Sequence, residues 1–128
     1  MNKLSGAIFA LCSVITPAFA AGLLDDIPPP PNAKALGNEK LALGGEEASY
    51  STSTSPADVI LSYKQTLAAV GWTVTSAGGS GSEHGGGAGL EATQGARYLA
   101  INAGGPAGTT FVHVCAWPKK PKDDHCGG

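Results

Sequence analysis

The stretch SPADVILSYKQTLAAVGWTV, residues 55–74, decides the fold class. Ser55 precedes Pro56 at a first helical position, and Asp58 places an acid in the first turn, a combination that starts a helix. Val59, Ile60, Tyr63, Leu67 and Val70 then recur at helical spacing and form one apolar stripe. Gly71 follows the last of them, where a left-handed residue usually ends a helix. The spacing predicts a helix from Pro56 to Val70. Trp72 and Val74 then restart the chain as a strand with both side chains on one face.

Working downstream, residues 76–89 (SAGGSGSEHGGGAG) are expected to be a flexible glycine-serine loop. LEATQ, ARYLAIN and TTFVHVCAW follow as strands joined by short glycine turns, the pattern of an antiparallel meander. Upstream, Leu41 and Leu43 alternate before Gly44-Gly45, and Ala48, Tyr50 and Thr52 alternate after it. One or two short strands around a glycine turn are expected there. The order strand, helix, strands gives an α+β domain: an antiparallel sheet of four to six strands with one helix on one face.

Period-two arithmetic sorts the last strand. Thr110, Val112, Val114 and Ala116 share one face, and Phe111, His113, Cys115 and Trp117 share the other. The valine face suits packing beneath the helix, which leaves Cys115 on the far face. After Pro118 the tail can fold back and bring Cys126 within reach of Cys115.

The chain opens MNKLSGAIFALCSVITPAFA, with Lys3, a short apolar run and an Ala18-Phe19-Ala20 cleavage signal. Residues 1–20 are therefore expected to be a secretory leader, and the run is too short to span a membrane. Of the three cysteines, Cys12 lies in the leader, so Cys115 and Cys126 remain as a pair. In an oxidising compartment such a pair closes into a disulfide. The leader also removes Lys3 and no acids, which leaves seven basic against ten acidic residues, a formal charge of −3. No basic stripe exists, since Lys119, Lys120 and Lys122 sit beside Asp123 and Asp124. Neither a nucleic acid nor an anionic membrane is the partner this balance implies. The expected organisation is a leader (1–20), a proline-rich linker (21–37), an α+β domain (38–117) and a disulfide-stapled tail (118–128). In the linker, Pro28 to Pro31 favour an extended polyproline segment. It is expected to be a stiff spacer; an assembly role anchored through the prolines is the other reading.

The same residues confine the chemistry. His113, Cys115, His125 and Cys126 could form a two-nitrogen, two-sulfur metal set, but their spacing matches none of the usual zinc patterns. A Cys115–Cys126 disulfide is the stronger expectation, and no cofactor is implied. HGGG, from His84 to Gly87, resembles the oxyanion-hole segment of esterases of the α/β-hydrolase fold. The likeness covers four residues, the G-x-S-x-G elbow is absent, and no hydrolase follows. Glu46-Glu47 and Asp25-Asp26 are adjacent rather than spaced and are expected to be solvated. Glu83 and His84 could approach Arg97. Phe111 and Trp117 form a patch suited to a partner if the tail leaves them uncovered.

SPADVILSYKQTLAAVGWTV, with the later GARYLAIN and TTFVHVCAWP, resembles small exported bacterial domains of unknown function. In those, a helix leads into a Gly-Trp strand and an antiparallel meander. The likeness covers about Ser49 to Trp117. It implies that fold outline and a cell-envelope location, periplasmic or secreted, and brings no catalytic residues. The expected function is that of a soluble, non-enzymatic binding or accessory module with an envelope protein or ligand as partner. The alternative is a metal-binding or metal-carrier protein using the His/Cys tail.

Overall fold

A computed structural model describes residues 22–82, 85–122 and 126. Six strands form one antiparallel sheet: β1 (Lys34–Lys40), β2 (Glu46–Thr52), β3 (Thr73–Ser82), β4 (Gly85–Gln94), β5 (Arg97–Gly105) and β6 (Thr110–Trp117). Their spatial order is β1-β2-β6-β5-β4-β3. One helix, α1 (Pro56–Ala69), connects β2 to β3. Those two strands run in the same direction, so the chain between them must cross a sheet face, and α1 makes that crossing. The α+β expectation holds.

Local chemistry starts and stops α1. The Ser55 Oγ accepts the Asp58 N–H at 3.2 Å, and Pro56 occupies the first turn. At the other end, Gly71 takes φ +93°, the Trp72 N–H donates to the Leu67 carbonyl at 3.0 Å, and the Gly71 N–H donates to the Ala68 carbonyl at 3.3 Å. That is the paired-bond stop that a left-handed glycine permits. Val59, Ile60, Tyr63 and Leu67 are buried, whereas Val70 lies past the last turn and is half exposed. The stripe packs on Leu90, Ala92, Leu99, Ile101, Val112, Val114 and Ala116, the inward face of three central strands.

Three expectations need correction. Leu41 and Leu43 belong to no strand. The strand lies earlier, at Lys34–Lys40, and residues 41–45 turn through a short 3-10 segment closed by Leu41 N–H to the Gly45 carbonyl at 2.9 Å. Residues 76–82 and 85–89 form strands rather than a loop, continuing the β3–β4 ladder through Gly78↔Gly89 and Ser82↔Gly85. The backbone ladder needs no side chains, so glycine and serine hid it from any periodicity. Glu83 and His84 lie outside the described residues.

The third correction concerns the supposed spacer. Residues 22–32 lie against the domain, and β1 begins before the expected boundary. Ile27 is buried in the main core with Leu23 and Leu24 packed beside it. The polyproline carbonyls serve as acceptors: Tyr63 Oη donates to Pro28 O at 2.8 Å and Thr52 Oγ1 to Pro31 O at 2.6 Å. A segment without its own ladder leaves its carbonyls open, and side chains of the helix and β2 fill them.

Candidate functional site

The sheet face opposite α1 carries the residues that the sequence singles out. Register sets Glu47, Cys115 and Ala100 side by side, then Ser49, His113 and Asn102 one step along. Cys115 and Cys126 form a disulfide, with their Cα atoms 5.8 Å apart. The tail therefore returns across this face, and the Asn102 Nδ2 donates to the Cys126 carbonyl at 2.6 Å. Cys115, Cys126, Tyr98, Ala100 and Trp117 make a second, smaller core there. Sulfurs bonded to each other are not thiolate donors, and His125 lies outside the described residues. Among the described residues no group of three or more His, Cys, Asp or Glu is placed to hold a metal.

Trp117 is buried beneath the tail at 3 % exposure, while Phe111 stays 43 % exposed. The two therefore do not form a common patch. The strand period puts them on one face, but the stapled tail covers only the end that carries Trp117.

Glu47 is not solvated, contrary to expectation. It is 7 % exposed, and its Oε2 lies 2.7 Å from His113 Nδ1. A carboxylate at that nitrogen calls for the hydrogen on Nδ1. The Ser49 Oγ lies 3.3 Å from the same Nδ1. In a serine hydrolase the acid and the hydroxyl occupy opposite ring nitrogens. Here both crowd one nitrogen, so Ser49, His113 and Glu47 do not form a proton relay. The sequence reveals each residue but not the pairing, which depends on the β2–β6 register.

Arg97 opens β5, and the partners expected for it, Glu83 and His84, lie outside the described residues. Its guanidinium takes Asp26 through Nη2–Oδ1 at 2.9 Å and Nη1–Oδ2 at 3.2 Å, and bonds the Leu23 carbonyl at 2.8 Å. It also lies over the Trp72 ring, 4.7 Å from the centroid. Hydrogen bonds from Arg97 hold the Asp26 carboxyl below the usual carboxylate range. Asp25-Asp26 thus splits: one acid clips the N-terminal segment to the sheet and the other accepts the Gly22 N–H at 2.6 Å.

The feature that sequence reasoning missed is a cleft between the β1–β2 turn and the tail. Leu41, Ala42 and Leu43 from the turn line it together with Trp117, Lys119, Lys120, Pro121 and Lys122 from the end of β6 and the tail. Its volume is about 710 Å³, within the range of small-molecule sites. Gly45 lets the Trp117 ring pack against the turn, because a Cβ there would overlap the indole Nε1. Leu43 is 70 % exposed, and its backbone holds φ +62°. A leucine rarely adopts that left-handed conformation, and such strain clusters at functional positions. Nothing in the pattern around Leu43 announces this, since alternation with Leu41 reads as strand.

No protein-family model, curated protein or solved structure matches the chain. Among the described residues no helix is long and apolar enough to cross a membrane.

Proposed function

We propose that the protein is an exported, non-enzymatic binding module of the bacterial cell envelope that docks its partner in the cleft beside Leu43. The leader-like N-terminus and the paired cysteines support export, and the crowding of Ser49 and Glu47 on one nitrogen of His113 argues against acyl-transfer chemistry there. One observation carries the docking role: a large apolar side chain is held out to solvent, in a backbone conformation that costs energy, at the mouth of an apolar cleft. The test is a photo-crosslinking residue at position 43 in cells exporting the protein, with position 70, exposed but outside the cleft lining, as the control. A discrete adduct at 43 and none at 70 is the expected result. Catalytic turnover of a hydrolase substrate panel that disappears in His113→Ala overturns the reading.

A metal-carrier role is the second reading, and the Glu47–His113 contact favours it, because ligating histidines commonly donate their second ring nitrogen to a carboxylate. It requires reduced Cys115 and Cys126. It predicts stoichiometric zinc or copper in protein purified from its own compartment, and loss of that metal in Cys126→Ser.

A further inference from the structure

We infer that the cleft takes a single-chain anionic amphiphile: an alkyl chain ending in a carboxylate or phosphate. This rests on the cleft being the docking site. The lining is of two kinds. Leu41, Ala42 and Leu43 bring hydrocarbon to it, and Lys119, Lys120 and Lys122 bring three cationic side chains. Lys120 Nζ sits 5.5 Å from the centre of the Tyr98 ring. Among the described residues no carboxylate pairs with any of these three lysines. An occupant with an apolar body and an acidic end matches both kinds of lining at once.

Backbone geometry separates this occupant from an extended acidic peptide. A peptide laid along a strand needs an open ladder edge. The strand leading into the cleft, β6, is paired with β2 as far as Ala116, against Glu46, and with β5 as far as Trp117, against Tyr98. The Leu41 N–H already donates to the Gly45 carbonyl. Neither β6 nor the Leu41 N–H offers the cleft an open ladder position, so recognition there falls to side chains, and an alkyl chain needs nothing else. The strained, exposed Leu43 then gains a partner for its side chain only when the chain is bound.

The test uses the oxidised, leader-free protein, with decanoate as the anionic probe and decyl glucoside as the neutral one. Affinity is read by calorimetry and location by amide shifts. Decanoate is expected to bind one-to-one below its micelle concentration, moving the amides of residues 41–43, 119, 120 and 122. Replacing Lys119, Lys120 and Lys122 together with Gln should weaken it about tenfold, as should added salt.

Absence of saturable binding overturns the inference, as does an affinity unchanged in the lysine variant. A leucine-bearing acidic peptide, or a second copy of the chain, occupying the cleft in preference to decanoate also overturns it. If decyl glucoside alone shifts residues 41–43, the anionic assignment falls while the cleft remains a docking site. If no probe shifts them and the crosslink at position 43 is also missing, both fall.

Discussion

Arg97 grips Asp26 through two hydrogen bonds, 2.9 and 3.2 Å long, across 71 residues of sequence. That grip closes the N-terminal segment over the edge of the main core, next to Trp72. Asp26→Asn should cost about 1 kcal/mol, since both partners are partly exposed and solvent screens the pair. Its effect on pH dependence is the sharper readout. Because Asp26 titrates lower when folded, its contribution is present above the ordinary aspartate range near pH 4 and fades as pH falls through the lowered value. Urea midpoints from pH 7 to 2 should show wild type losing its advantage over Asp26→Asn at the acid end. Parallel curves would remove the clip from the account.

Tyr63 is 1 % exposed and donates its hydroxyl hydrogen to the Pro28 carbonyl. Tyr63→Phe should cost about 1–2 kcal/mol in chemical denaturation, because a half-buried carbonyl loses its donor. Burial also raises the phenol above its usual value. Stability from this group is therefore complete below pH 10 and is lost as pH rises above it, a slope that Tyr63→Phe should lack. Deleting Pro28 to Pro31 should lower the melting temperature strongly; a spacer would allow the deletion without cost.

His113 is the hydrogen-bond partner of a buried carboxylate. His113→Ala should destabilise by about 1–3 kcal/mol, and Glu47→Gln in the same background should recover part of that loss. A double-mutant cycle in urea measures the coupling, and a coupling near zero would contradict the contact.

Leu43→Asn separates stability from function. Asparagine tolerates a left-handed backbone better than leucine does, and the exposed leucine buries little in the free protein. The variant should melt slightly higher, by an equivalent of up to about 1 kcal/mol, yet bind about tenfold more weakly in the cleft. Lower stability with unchanged binding would show that Leu43 serves the fold instead.

How far the sequence reveals this molecule depends on where the information is stored. The helix was legible because Ser55, Pro56, the buried stripe and Gly71 each act locally, within a turn or two of the chain. The assignment of Cys115 to the face opposite α1 followed from strand period alone, and the second core confirms it. The β3–β4 ladder was illegible because residues 76–82 and 85–89 pair through backbone groups common to every residue. The docking of residues 22–32 was hidden for a related reason: carbonyl groups of Pro28 and Pro31 carry no side-chain signature, and their donors lie 35 and 21 residues away. Glu47 looked like a surface acid until the β2–β6 register set it beside Cys115 and within reach of His113. The cleft needs two distant segments, the turn at Leu43 and the tail, which only the sheet brings together.

The tail can wall that cleft only while Cys126 holds it to Cys115, so the redox state of this pair tests the account most directly. Closing this loop should stabilise the fold by about 3 kcal/mol in the chain-entropy model. The measurement is intact mass, native and denatured, of protein purified from its exported compartment and alkylated without reductant. The account predicts a mass two hydrogens below the reduced chain, no alkylation and no bound metal. Two alkylated thiols with a metal adduct in the native spectrum would contradict it, and would make the tail a metal site instead of the wall of a cleft.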